Sequence, residues 1–96
     1  MAQEKNFENK IKKFLESKGC YFVKHFGCAF TKAGVPDLLC CVNGRFLAIE
    51  VKAENGKVSD LQTYNIERIK EAGGVAVIVK PSDFESLKRL IEDLMI

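Results

Sequence analysis

Residues 36–52 have the sequence PDLLCCVNGRFLAIEVK, in which two apolar runs are separated by Asn43 and Gly44. An Asn-Gly pair between apolar runs is the strongest short-range signal for a tight β-hairpin, so we predict strands at residues 37–42 and 46–51. Both runs are apolar at almost every position, which is typical of strands that helices cover on both faces of a sheet. This segment therefore predicts the centre of a layered α/β domain.

Helix and strand patterns continue on both sides of the hairpin. In chain order they predict a helix at about 6–18, a strand at 20–26, a helix from a capping box at Ser59 and Gln62 to about Ala72, a strand at 75–79, and a last helix opened by a second capping box at Ser82 and Glu85. The order α-β-β-β-α-β-α predicts a three-stranded antiparallel meander extended by a fourth strand through a helical crossover. The expected fold is a mixed four-stranded sheet flanked by helices, with an additional C-terminal helix.

The composition is that of a globular protein. The chain has 96 residues, of which 47% are hydrophobic and 29% charged, and this excludes disordered and collagen-like classes. We expect a single domain over residues 1–96. No apolar run approaches the roughly 20 residues that cross a bilayer, and the first residues lack the apolar stretch of a signal peptide. We therefore expect a cytoplasmic protein with no membrane partner.

The cysteines and the single histidine do not predict a zinc site or a nucleophilic triad. Cys40 and Cys41 are adjacent within an apolar run, and Cys20 and Cys28 lack the spacing of zinc ligands. We expect all four to be reduced thiols in the core. A catalytic arrangement based on histidine would depend on His25 alone.

Charge is unevenly distributed along the chain. The net charge is +2, but the first 35 residues contain seven lysines and three glutamates, a net charge of +4. Candidates for contacts with phosphate groups are Lys12, Lys13, Lys24 and Lys32. Lysines on a helix are also common on its solvated face, so both interpretations remain open.

Three charged residues occur where buried strands would have apolar ones. Asp37 opens one strand of the hairpin, and alternation places Glu50 and Lys52 on the same face of the other. Taken separately, Pro-Asp is common at turns, and Glu-x-Lys is often an ordinary ion pair. Taken together, two carboxylates on paired strands are costly to bury unless a cation accompanies them. A divalent cation with a lysine beside it is the arrangement that a metal-dependent nuclease needs.

The chain also resembles a known family. The segments GVPDLL at 34–39, FLAIEVKA at 46–53 and SDLQ at 59–62 are similar to those of the virus-type replication-repair nuclease (VRR-NUC) domain, a member of the PD-(D/E)XK superfamily. The resemblance implies a restriction-endonuclease-like α-β-β-β-α-β core. It also implies that Asp37, Glu50 and the backbone carbonyl of Val51 bind Mg²⁺ or Mn²⁺, and that Lys52 orients or deprotonates the attacking water.

The resemblance suggests roles for three further residues, each with an ordinary structural alternative. Glu8 matches an acidic position that reaches the metal in many superfamily members, but it is also a first-turn acid favoured by the helix dipole. Gln62 matches a catalytic glutamine, yet it is also the capping-box partner of Ser59. Lys24 matches a basic position that meets phosphate, and a solvated lysine is the alternative.

These features predict a metal-dependent, structure-selective DNA endonuclease. The family suggests branched DNA, including the Holliday junction, as substrate, a role in DNA repair, and a phage protein acting in the host cytoplasm. The alternative is a non-catalytic nucleic-acid-binding or regulatory module that retains the nuclease fold. We expect a homodimer, because two coordinated cuts require two sites, and the apolar last helix, from Phe84 to Ile96, offers a surface for pairing.

Overall fold

The computed structural model describes residues 2–96. Its elements are helix α1 Ala2–Ser17, strand β1 Tyr21–Lys24, strand β2 Leu38–Val42, strand β3 Arg45–Val51, helix α2 Asp60–Glu71, strand β4 Val75–Val79, one 3₁₀ turn Pro81–Asp83, and helix α3 Phe84–Leu94. The predicted α/β fold, its element order and its C-terminal helix are confirmed. The first strand is shorter than the predicted 20–26, and the first helix begins four residues earlier than predicted.

The four strands form one mixed sheet in the order β1-β2-β3-β4. β2 is antiparallel to both β1 and β3, and β4 is parallel to β3. Asn43 and Gly44 close the β2–β3 hairpin with positive φ angles of 53° and 77°, the geometry of a type I′ turn. α2 makes the crossover to β4, so the predicted meander with a helical extension is confirmed.

The two faces of the sheet bury cores of different size. One face packs against α1 and α3, and its core includes Ile11 of α1, Ile49 of β3 and Ile91 of α3. The other face packs against α2 with a small core of Ala48, Ile66 and Ala76. Small residues there let α2 approach the sheet closely, at the end where β3 carries Glu50.

The apolar face of α3 is used within the chain itself. Leu87, Ile91 and Leu94 are buried, and Phe84 and Leu90 pack against the same core. Only the last two residues, Met95 and Ile96, are exposed apolar positions there. The surface that suggested pairing through the last helix is therefore not free.

The predicted capping box at Ser82 and Glu85 is wrong. The Ser82 backbone N–H and hydroxyl donate to the Glu54 carboxylate at 3.0 and 2.8 Å, and the chain enters α3 through a 3₁₀ turn. The Lys80 N–H donates to Asp83 Oδ2 at 2.8 Å. The Ser82 N–H, which the local pattern assigned to Glu85, therefore donates to Glu54, an acceptor that is distant along the chain.

The cysteines are free thiols, as expected, but they are not all in the core. Cys40 is buried and Cys20 half-buried, whereas Cys28 and Cys41 are exposed. Cys41 lies on the same face of the sheet as α2, but α2 does not cover that face over β1 and β2. Within residues 2–96, no helix is long and apolar enough to cross a membrane.

Candidate active site

Asp37 and Glu50 lie opposite each other at one edge of the sheet. The β2–β3 register pairs Leu38 with Ile49, and its continuation by one residue places Asp37 opposite Glu50. Asp37 Oδ2 accepts a hydrogen bond from the Val51 N–H at 2.8 Å, which fixes the carboxylate against the end of β3. The hairpin therefore brings together the two carboxylates that the sequence predicted to be neighbours.

Glu50 is a buried carboxyl group with few partners. Its residue exposure is 3%, and its Oε2 accepts a hydrogen bond from Gln62 Nε2 at 2.9 Å and lies 3.5 Å from Lys52 Nζ. Burial, together with the nearby Asp37 carboxylate, raises the pKa of Glu50 to about 7, although Lys52 acts in the opposite direction. Lys52 therefore does not outweigh the effects of burial and of Asp37 on the Glu50 carboxyl group.

Lys52 is held at the edge of the sheet by its backbone. Its N–H donates to the Val79 carbonyl at 2.9 Å, which continues the β3–β4 pairing beyond the end of the strand. The side chain is 15% exposed, and its Nζ reaches Glu50. The ammonium group therefore lies beside the Glu50 carboxylate, on the face of β3 that alternation predicted for it.

Gln62 caps α2 and contacts the site at the same time. Its Oε1 accepts from the Ser59 N–H at 3.0 Å, its own N–H donates to Ser59 Oγ at 3.1 Å, and its Nε2 donates to Glu50. The two interpretations of this residue are compatible, because a side-chain amide has an acceptor at one end and donors at the other. The capping box aims the NH₂ group at Glu50.

Lys24 links Glu8 to Asp37. Its Nζ lies 2.7 Å from Glu8 Oε1 and 3.2 Å from Asp37 Oδ1, and Lys12 Nζ lies 3.2 Å from Glu8 Oε2. Burial acts to raise the pKa of Glu8, but Lys24 and Lys12 outweigh it and lower that pKa. Burial acts to lower the pKa of Lys24, but the carboxylates of Glu8 and Asp37 outweigh burial and raise that pKa. Glu8 therefore reaches the site through an ammonium group.

The remaining predicted lysines are partly or fully exposed, and two of them, Lys12 and Lys32, line grooves beside the site. Lys12 is partly exposed in its pair with Glu8, and Lys13 is exposed on α1. Lys32 is exposed on the loop before Asp37 and borders a groove of about 380 Å³ that also reaches Asp37. His25 lines this groove, and its backbone N–H donates to the backbone carbonyl of Asp37 at 2.8 Å.

Asn65 is a positioning residue that sequence analysis did not single out for the site. It is 5% exposed, and its Nδ2 donates to the carbonyls of Ala33 at 3.2 Å and Leu61 at 2.9 Å. Gly34 follows with φ +80°, and a Cβ there would come within 2.7 Å of Asn65 Nδ2. The loop before Asp37 is thus fixed against α2. A buried amide on a helix that otherwise packs apolar residues is the signal that could have identified it.

The donor atoms fit a hard divalent cation. Within residues 2–96, no group of three or more Asp, Glu, His or Cys side chains could hold a metal ion, so an ion here would depend on Asp37, Glu50 and the Val51 carbonyl. Mg²⁺ is commonly bound by one or two carboxylates, with water and substrate phosphate completing its shell. Two neighbouring carboxylates, one of them buried, repel each other, and a bound divalent cation would offset that repulsion.

An α/β domain with two carboxylates and a lysine at the edge of a mixed sheet has the donor set of a divalent-cation hydrolase. Residues 28–83, more than half of the chain, match the family model of the VRR-NUC domain. The chain belongs to the VRR-NUC family, a family of nuclease domains. The matched region contains Asp37, Glu50, Lys52 and Gln62, whereas Glu8 and Lys24 precede it. A search of curated proteins finds no match to the chain.

Proposed function

We propose that this protein is a Mg²⁺- or Mn²⁺-dependent DNA endonuclease that hydrolyses phosphodiester bonds. The observation that carries the proposal is the close placement of Asp37, Glu50 and Lys52 at one sheet edge in a chain of a nuclease-domain family. The carboxylates supply hard oxygen ligands, and the lysine supplies a cation next to them.

Each residue of the site has a role in this proposal. Asp37, Glu50 and the Val51 carbonyl would hold the cation, which when bound polarises the phosphate and acidifies water. As an ammonium group, Lys52 Nζ orients the attacking water and offsets charge that develops on the phosphate, whereas only its neutral amine form would take a proton from that water. Gln62 holds the Glu50 carboxylate in one orientation through its 2.9 Å hydrogen bond.

We propose branched DNA, including four-way junctions, as the preferred substrate, and a homodimer as the active form. Symmetric cleavage of a junction requires two sites, and two-fold pairing of identical chains supplies them. Because α3 is buried in its own chain, the two copies pair through another surface. Light scattering that gives a monomer mass, together with full junction cleavage, would contradict the dimer.

The nuclease proposal is tested with labelled single-stranded, duplex, flap and four-way-junction DNA in Mg²⁺, Mn²⁺ and EDTA. Cleavage is expected with either metal and not with EDTA. DNA binding without cleavage under any metal condition would instead support a non-catalytic binding module.

Site variants connect the activity to this geometry. Asp37→Asn, Glu50→Gln and Lys52→Ala are each expected to reduce cleavage by about 10²-fold or more, the scale measured for loss of one charge-stabilising group, with DNA binding retained. Glu67→Gln and Lys70→Ala are matched controls, since their exposed side chains pair with each other on α2. Normal cleavage by the site variants would show that the assignment is wrong.

A further inference from the structure

The loop between β1 and β2, which leads to Asp37, exposes two phenylalanines. Phe26 is 76% exposed and Phe30 is 98% exposed. Single exposed apolar residues are common on protein surfaces. Two flat aromatic rings on one loop that ends at Asp37 indicate a surface that contacts another molecule.

Phe26 borders a groove on the Glu8 side of the candidate site. This groove, of about 280 Å³, is lined by Glu4, Lys5, Glu8, Lys12, Lys24 and Phe26. Lys24 Nζ lies 5.8 Å from the centre of the Phe26 ring and 3.2 Å from Asp37 Oδ1. One ammonium group thus connects the aromatic ring with the residue proposed to bind metal.

The loop has a defined turn that presents Phe30. The Cys28 N–H donates to Thr31 Oγ1 at 2.8 Å, and the Thr31 N–H donates to the Cys28 carbonyl at 3.2 Å. Asn65 fixes the end of the loop at Ala33. Phe30 therefore extends from a closed turn with almost none of its ring covered.

The surroundings of the rings favour a nucleic acid as the occupant. Exposed Lys5 lines the groove next to Phe26, and exposed Lys32 lies two residues after Phe30. Lys12 and Lys24, which also line the groove, are paired with Glu8 and Asp37. Ammonium groups suit phosphates, and aromatic faces stack on bases of any sequence. An apolar protein segment would cover the rings but would also remove the exposed Lys5 and Lys32 ammonium groups from water without supplying an anion for them.

We propose that Phe26 and Phe30 stack on unpaired nucleobases next to the phosphate that is cut. Bases in an intact duplex are stacked on one another and offer no free face, so the loop selects DNA in which bases near the cut are unpaired. This inference rests on the proposed nuclease function and narrows its substrate class to branch points, single-stranded segments and their borders with duplex.

The chain has no tryptophan, so Phe26→Trp and Phe30→Trp each introduce a single fluorescent reporter. The variants are titrated in EDTA with an oligonucleotide duplex and with the same duplex containing a short unpaired segment. Quenching is expected with the unpaired segment and not with the fully paired duplex. Equal quenching by both DNAs, or by neither, would overturn the proposal.

Binding by truncation variants tests the size of the effect. Phe26→Ala and Phe30→Ala are each expected to weaken binding of the DNA with unpaired bases by about 10-fold, within the range measured for loss of one stacking side chain, and to leave duplex binding unchanged. Leucine at either position keeps apolar bulk without a flat ring, and it should behave like alanine. Tyr21→Ala is the matched control, because Tyr21 is 72% exposed at the other end of β1. Full binding by the leucine variants would overturn stacking as the mechanism.

The outcomes separate this inference from the nuclease proposal. Tryptophan quenching without cleavage of any DNA would remove the nuclease function and leave base stacking supported. Cleavage with unchanged preference and affinity in the alanine variants would overturn base stacking alone. A fall in particle mass for Phe26→Ala or Phe30→Ala would identify the loop as a contact between two copies, which also overturns it.

Discussion

Replacement of Glu50 by glutamine should stabilise the metal-free protein, by an amount that grows with pH. The Glu50 side chain is 4% exposed. Burial and the Asp37 carboxylate raise its pKa from 4.5 to about 7, with Lys52 acting against them. Above pH 7 Glu50 is therefore ionised in both the native and the unfolded state, and its ionisation costs more free energy in the native state. Glutamine has nearly the same shape and does not ionise.

The expected size follows from proton binding. Between about pH 4.5 and pH 7 the native state retains a proton on Glu50 that the unfolded chain releases, so the free energy of unfolding falls as pH rises through this window. One pKa unit corresponds to about 1.4 kcal/mol, so the loss is complete above pH 7 at about 3 kcal/mol. In a domain of this size that is about 12–24 °C in melting temperature.

The assay is thermal and urea unfolding in EDTA at pH 5 and pH 8, for the unaltered protein, Glu50→Gln and the control Glu67→Gln. The stability gained by Glu50→Gln should be about 2–3 kcal/mol greater at pH 8 than at pH 5. Glu67 is exposed on α2, and its replacement should change stability by less than about 0.5 kcal/mol at either pH. An effect of Glu50→Gln that is the same at both pH values would refute a buried carboxyl group with a raised pKa beside Asp37.

Three other perturbations test the loop, the basic helix and the core. Gly34→Ala should cost about 2–4 kcal/mol in urea unfolding, because its Cβ would lie 2.7 Å from a side-chain nitrogen of α2. Gly73→Ala, with φ +95° and open space around it, should cost only about 1–2 kcal/mol; equal losses would contradict the steric argument. Glutamine at Lys12 and Lys13 should reduce the slope of log affinity against log salt by about 0.9 for each phosphate that the variant no longer neutralises, and an unchanged slope would place DNA on another surface. Burial raises the pKa of Cys40 to about 12, so iodoacetamide at pH 8 should leave it unmodified in the native protein by mass spectrometry, whereas rapid labelling would show that it is accessible.

Local patterns in the chain were sufficient to predict the framework of the fold. The Asn43-Gly44 turn and two fully apolar runs predict the central hairpin, because turn geometry and strand burial depend on neighbouring residues. The hairpin then places Asp37 opposite Glu50 by register alone. Ser59 likewise predicts the start of α2, since its capping box spans only four residues, 59–62.

The contacts that complete the site depend on elements that are distant along the chain. Lys24 pairs with both Asp37 and Glu8, and no local pattern distinguishes this lysine from one that is solvated. The same is true of Ser82, whose hydroxyl and N–H find the distant Glu54 instead of a helix-capping partner. Patterns of spacing predict what a residue does within its own helix, strand or turn. How those elements pack decides which side chains come together in the site. A charge or donor without a partner is costly only where packing removes it from water, so its final partner depends on the tertiary structure.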